Sequence, residues 1–542
     1  MPDDDQQTPW TFRSAAFALF SLALVLRGAD LDRLPGVNGD EAYYGSIVQA
    51  ERAGEQPPWR SGSGLPLNPF YAGSLYAVHL VAPQPTFWLL RLPALLAGLA
   101  CLALSYPLLA RVIDRTTALL VTLLLACTPT LIAYSRFGWD QSQAPLVSLL
   151  CLYFALRKQL VGAIVAFIAA LLIHPVNGLL LPIMLGPVAL EQWDAMQAAA
   201  PEQRRKQRQQ ALLLAGMLGA LGLGAATLLA SGVALGGWFQ NLAPTMLTRL
   251  LNPLGWGMFL LRWGDLLTGA TVGAYIAGPL PPWLLWLQRG LFWLLVVLAV
   301  RFGLPSLRQA RDRTALGLIG GLAVSLTAFY LILGVHVISP ALERYAIALV
   351  VASWLVLVLL ARSAAASVSA VPLLRTGGIL VGALLLGSFL LSYWLPLQET
   401  GGTAHRTFRT GFEEPKAAAF TAIAAAAGPD GPITVLAEDW WCYYPLRYLS
   451  YQRPETEVIQ LERRDITIDG STPRRRIVVG FAGGPVAQWL QQNAPELRRT
   501  SIPDATGRPV LHVWDLGTAP APAVVAGIAE AARNAPPDAM PE

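Results

Sequence analysis

The chain has 542 residues, 54% of them hydrophobic and only 13% charged, with a mean hydropathy of +0.48, whereas a soluble domain carries about twice that charged fraction. Its apolar residues come in runs of roughly 17 to 25, the length that crosses a hydrocarbon core, which excludes a string of water-soluble domains. The net charge of +5 does not indicate a nucleic-acid binder, because the basic residues sit in short clusters between apolar runs, where membrane orientation accounts for them.

In chain order, about eleven candidate spans fall at 10–26, 86–110, 117–134, 144–156, 161–173, 176–190, 211–229, 283–300, 315–333, 346–360 and 379–395. The first follows an acidic start, Asp3 to Asp5, lacks a cleavage site, and reads as an uncleaved span. The fifth and sixth are short and meet at His174-Pro175. Proline removes a helix hydrogen bond and clashes with the preceding turn, so a hairpin of two short helices is expected there, a single kinked helix being the alternative.

With the N-terminus in the cytoplasm, the inside loops carry Arg111 and Arg115, Arg157 and Lys158, Arg204 to Arg208, Arg301 to Arg313, and Arg362 and Arg375. Each inside loop is basic, as the positive-inside rule requires. Segments 28–85, 135–143, the tip at His174, 231–282, 336–345 and everything after Pro396 are then outside. The expected fold is an α-helical polytopic membrane domain (1–397) bearing a small extracytoplasmic α/β domain (398–517) and an Ala/Pro-rich tail (518–542). In the soluble part a helix is expected over 413–427, strands at 433–436, 477–481 and 510–514, and a helix over 486–493. Cys101, Cys127 and Cys151 lie in apolar runs and Cys442 is isolated, with no disulfide or zinc spacing.

The residues able to carry chemistry collect in the outside segments. The first loop holds Gly36-Val37-Asn38-Gly39-Asp40-Glu41-Ala42-Tyr43-Tyr44. A carboxylate there can take a proton from an acceptor hydroxyl, an effect of roughly 10²–10⁴ in rate. The alternative is capping, with Asp40 as N-cap and Glu41 in the first turn of a helix reaching Arg52. After the third span, Arg136 and Asp140 can pair on one helical face, hold a phosphate or orient a substrate; the alternative is an interfacial anchor with Trp139 in the aromatic belt. His174 lies at the hairpin tip, and Arg344 in Glu343-Arg344-Tyr345 offers a planar fork to phosphate oxygens or a snorkelling anchor. Arg91 is expected to be structural. The run Trp440-Trp441-Cys442-Tyr443-Tyr444 suits sugar stacking or packing of the soluble domain onto the membrane loops. No Walker loop, GxGxxG after a strand, HExxH or GxSxG is found.

The acidic pair in a long first outside loop, Arg91-Leu92-Pro93 opening the second span, Ser135-Arg136 with Asp140 after the third, the broken short-helix pair and Arg344-Tyr345 opening a late span together resemble the glycosyltransferase C superfamily. Within it they resemble the branch of protein O-mannosyltransferases and bacterial lipid A aminoarabinose transferases. The resemblance covers about residues 10–397 and lies in the order and common sidedness of short motifs. It implies an enzyme of the bacterial plasma membrane that moves a sugar, with inversion, from a polyprenyl-phosphate donor to an acceptor lipid, protein or glycan. By that resemblance Asp40 is the catalytic aspartate and Glu41 its acidic neighbour. Tyr43 and Asp140 contact substrate, and Arg136, His174 and Arg344 supply the charge that stabilises the leaving phosphate. His174-Pro175-Val176-Asn177 departs from the lysine-glycine of many relatives. No cofactor is implied firmly: the carboxylate pair can hold Mg²⁺ or Mn²⁺, as in oligosaccharyltransferases, but the O-mannosyl branch does not generally depend on one. A transporter or flippase of a lipid-linked substrate is the competing class, marked by midplane charge and repeated halves; an inactive scaffold is a third.

Overall fold

The computed structural model of the chain describes residues 10–60, 66–198, 244–338, 342–366, 371–402, 409–428, 431–463 and 474–534. The expected span at 211–229 and the basic residues Arg204, Arg205, Lys206 and Arg208 lie outside them. Among the described residues, five helical stretches are long and apolar enough to cross a membrane by length and composition: Phe87–Leu109, Pro282–Ala310, Arg313–Leu333, Glu343–Ala366 and Leu380–Thr400. Shorter helices occupy the other expected spans, including α1 (Trp10–Gly28), α7 (Ala144–Leu156), α8 (Leu160–Ile173) and α9 (Leu181–Ala198).

The third expected span is two helices, α5 (Arg115–Cys127) and α6 (Pro129–Tyr134), because Pro129 has no N–H for the Leu125 carbonyl. Arg27, buried at the end of α1, fills the gap: its Nη2 donates to Leu125 O and its Nη1 to Ala126 O, both at 3.3 Å. The short-helix hairpin forms as expected, with α8 ending at His174 and a 3₁₀ turn, Pro175–Leu180, leading into α9. Helix pairs close on glycine: a Cβ on Gly186 of α9 would lie 2.0 Å from Gly317 O, and one on Gly303 would lie 2.1 Å from Leu360 O. Such small residues let helix backbones touch where lipid offers no hydrophobic drive.

Two further helices, Pro253–Thr268 and Ala270–Ile276, stand where the sequence suggests only an outside loop. The first carries a buried charge: both oxygens of Asp265 are taken by Arg289, at 2.8 and 2.6 Å.

Helix α2 (Gly39–Arg52) and α3 (Pro69–Val81) fold back onto α4 (Phe87–Leu109) within the first outside segment. They share one buried cluster with the C-terminal domain, in which Ala42, Ile47 and Val48 meet Cys442, Leu446 and Tyr448. That domain is a five-stranded mixed sheet of order β2-β1-β3-β5-β4, with β1 (Ile433–Ala437), β2 (Thr456–Gln460), β3 (Arg475–Phe481), β4 (Arg499–Pro503) and β5 (Pro509–Gly517). β1 pairs in parallel with β2 and β3, while β5 pairs antiparallel with β3 and β4. The period-two alternation splits β1 and β3 between two cores. Val435, Ile477 and Val479 face the helix Pro415–Ala427 and the aromatic helix Trp440–Ser450. Leu436, Val478 and Trp514 face Pro485–Asn493 and Pro522–Arg533. The Ala/Pro-rich stretch after 518 carries this last helix, whose Ile528 and Ala532 are buried. The edge strands β2 and β4 and the aromatic helix also went unrecognised in the sequence, being short and polar or proline-bearing.

Candidate active site

The start of α2 sets the geometry. Asn38, not Asp40, is the N-cap: its side chain accepts from Asp40 N at 2.8 Å, and Glu41 Oε1 accepts from Asn38 N at 2.8 Å, completing a capping box. The alternative of Asp40 as N-cap is therefore set aside in favour of Asn38, two residues earlier, and Asp40 is left to project from the first turn.

Glu41 turns inward and is fully buried. Its carboxylate accepts a fork from Arg91, at 2.9 and 2.6 Å, and the Gly138 N–H at 2.7 Å. Arg91 donates onward to Leu31 O and Pro35 O at 2.9 and 2.8 Å. The pair thus binds α2, α4, the end of the first span and the 135–143 loop into one unit. Glu41 does not line the cavity described below, so its place is beneath the site, as a support. Arg136 is likewise withdrawn: fully buried, it donates to Leu26 O, Ala29 O and Leu34 O at 3.0, 2.6 and 2.8 Å and lies 4.6 Å over the Trp394 ring. It satisfies the open carbonyls where α1 ends and is not available to a phosphate at the cavity.

Above this support lies a cavity of about 530 Å³ that gathers Asp40, Tyr43, Asp140, His174 and Arg344, residues from four of the segments expected outside. Asp40 Oδ2 accepts from Arg344 Nη1 at 3.3 Å, and its Oδ1 from Trp440 Nε1 at 3.1 Å. Desolvation in the cavity pushes the Asp40 carboxyl above the usual carboxylate range, opposed by the Arg344 charge and the Trp440 hydrogen bond. Arg344 is delivered by the 3₁₀ turn Glu343–Leu349 and lies between two ring faces, 4.8 Å from Trp139 and 5.3 Å from Tyr345. Among the described residues it is the one cation lining the cavity.

Asp140 begins the 3₁₀ turn Asp140–Gln143 and its Oδ1 accepts from Gln141 N at 2.8 Å; burial raises its carboxyl, against the Arg344 charge. The expected Arg136–Asp140 pairing is replaced by Arg344 as the charge facing Asp140. His174 accepts from Val176 N at Nδ1, 3.2 Å, and its ring is 5.1 Å from Tyr345. Burial, then the Arg344 charge, lowers its pKa to about 4, so it is a neutral Nε2–H donor rather than the fixed positive charge expected of it. Tyr43 donates to Arg60 O and keeps its ring 5.2 Å from Trp440.

Trp440, Tyr44, Trp139 and Tyr345 also line the cavity and were not among the residues expected at the site. The signal for Trp440 was the aromatic run itself: it both packs the soluble domain onto α2 and reaches the site. The same cavity is also lined by the apolar Ile168, Leu171 and Leu172 of α8, each of them 38–50% exposed. For a divalent cation the donor set is thin. Among the described residues no three His, Cys, Asp or Glu side chains gather at one point, and both Asp40 oxygens already have partners.

No protein-family profile matches the sequence, and no curated protein matches it. Among solved structures the chain is similar to ArnT from Cupriavidus metallidurans bound to undecaprenyl phosphate, at 15% identity and a TM-score of 0.37, over 93% of this chain and 97% of that one. It is also similar to the Archaeoglobus fulgidus oligosaccharyltransferase in complex with zinc and sulfate, at 15% identity and a TM-score of 0.44, over 82% of this chain and 62% of that one. The apo form of that oligosaccharyltransferase matches at 12% identity and a TM-score of 0.45, over 89% and 71%. At TM-scores below 0.5 none of these likenesses decides a fold or a function.

Proposed function

We propose that the protein is an inverting glycosyltransferase that moves a sugar from a polyprenyl-phosphate donor to an acceptor hydroxyl at the extracytoplasmic face of a membrane. One observation supports this above the others: a carboxylate and a guanidinium, Asp40 and Arg344, face each other in a cavity that is also lined by exposed apolar side chains of α8. An amphiphilic donor fits such a space, with its isoprenoid along Ile168, Leu171 and Leu172 and its phosphate near Arg344. Asp40 takes the proton of the acceptor hydroxyl as that oxygen bonds to the anomeric carbon. The bond from that carbon to the phosphate oxygen breaks on the opposite side of the sugar. The departing phosphate carries the negative charge, which Arg344 offsets, with His174 donating a neutral hydrogen bond. Burial raises the pKa of the Asp40 carboxyl, which suits a base that must hold a proton after transfer. Asp140, which lines the same cavity, orients sugar hydroxyls.

The test uses membranes containing the full chain, given a radiolabelled polyprenyl-phosphate sugar, with and without EDTA. Wild type should transfer the label in both conditions, and Asp40→Asn should fall by about 10²–10⁴ while remaining folded and inserted. Full transfer by Asp40→Asn would remove the catalytic assignment.

A further inference from the structure

We infer that Trp440, carried by the C-terminal domain, is a positioning residue of the active site that holds the Asp40 carboxylate through its indole N–H. This rests on the proposed role of Asp40 as the base. The two oxygens of Asp40 have one partner each, Arg344 on Oδ2 at 3.3 Å and the Trp440 indole N–H on Oδ1 at 3.1 Å. The plane of the carboxylate is therefore fixed from two sides, and one side belongs to a domain that folds around its own sheet. Packing alone does not require an indole N–H aimed at a carboxylate.

The indole is itself held in place. Its ring is 4.3 Å from Tyr444, at an edge, and 5.2 Å from Tyr43. Asp439 caps the helix that bears it, accepting from Trp441 N and Cys442 N at 2.9 and 3.0 Å. The approach of the two helices needs glycine: a Cβ on Gly39 would lie 2.7 Å from Trp440 Cδ1 and 3.0 Å from Trp440 O. The residue preceding Asp40 is thus the one that lets the tryptophan reach it.

The charged and titratable groups that share the cavity with Asp40 are Arg344 and Tyr345 from the late 3₁₀ turn, Asp140 from the loop after α6, His174 from the hairpin tip, and Tyr43 and Tyr44 from its own helix. Arg344 and the Trp440 N–H favour the ionised carboxylate, while burial and Asp140 oppose it. Removing only the N–H leaves Arg344 in place and favours the protonated form, so Asp40 should titrate at higher pH.

The experiment follows the Asp40 carboxyl by infrared difference spectroscopy across pH in the full chain in lipid nanodiscs, without substrate. The protonated C=O band lost in Asp40→Asn identifies the group. In Trp440→Phe its midpoint should rise by about one pH unit. Replacing Trp440 by benzothienylalanine, which keeps the bicyclic shape and lacks the N–H, should give the same rise and guards against a packing effect of phenylalanine. An unchanged midpoint in the benzothienylalanine protein overturns the inference. That result leaves the proposed reaction standing if Asp40→Asn is inactive, whereas an active Asp40→Asn fails the reaction without touching the titration.

Discussion

At the scale of single residues, the site depends on one positive charge. Arg344 both faces the space assigned to the leaving phosphate and holds Asp40. Arg344→Met should lower kcat by about 10²–10³. It should also move the acid limb of the pH–rate profile upward, because a carboxyl already raised by burial loses the charge that opposes the rise. An acid limb that stays in place or moves down would contradict this. His174 makes the opposite prediction. With its pKa lowered to about 4, the imidazole is neutral throughout the range where free histidine titrates, near about 6.5. His174→Asn, which keeps an acceptor for Val176 N, should leave the shape of the profile between about pH 5 and 8 unchanged. A limb that vanishes with the histidine would show it charged in the working enzyme.

The elements were legible in proportion to how local their causes are. Apolar runs of spanning length and the proline at position 175 gave the helices and the hairpin. The break at Pro129 was not expected: the carbonyls it opens are met by Arg27, from another helix. Glu41 illustrates the same limit from the side of chemistry. Two adjacent carboxylates look alike in sequence, yet the helix start sends Asp40 to the cavity and Glu41 to Arg91. The Glu41–Arg91 pair is fully buried on both sides, and removing one partner strands the other. Arg91→Met should therefore cost roughly 3–5 kcal/mol, read as a drop in the thermal unfolding temperature of the purified protein. A variant of wild-type stability would deny the pair its supporting role. Arg136 was assigned to the phosphate because a motif shows which residue types occur, not which carbonyls an adjoining helix end leaves open.

Across the whole molecule, residues about four hundred positions apart converge on one cavity, and basic residues expected inside lie at the far ends of the same helices. There Arg313 pairs with Asp194 at 2.6 Å and Lys158 with Glu191 at 2.7 Å. The alternation of basic loops carried this arrangement in the sequence; the reach of the soluble domain into the site did not appear there, since it depends on tertiary packing at Gly39 and Gly45. A lipid carrier can present its phosphate only at the headgroup level of one leaflet, so the account stands on which face the cavity occupies. The four cysteines are buried, which permits single engineered thiols at exposed positions. In sealed cells a membrane-impermeant maleimide should label Ala53→Cys and Phe412→Cys directly, and Arg111→Cys and Gln159→Cys only after permeabilisation. Labelling of the second pair but not the first in intact cells would put Asp40 and Arg344 on the cytoplasmic side and contradict the account.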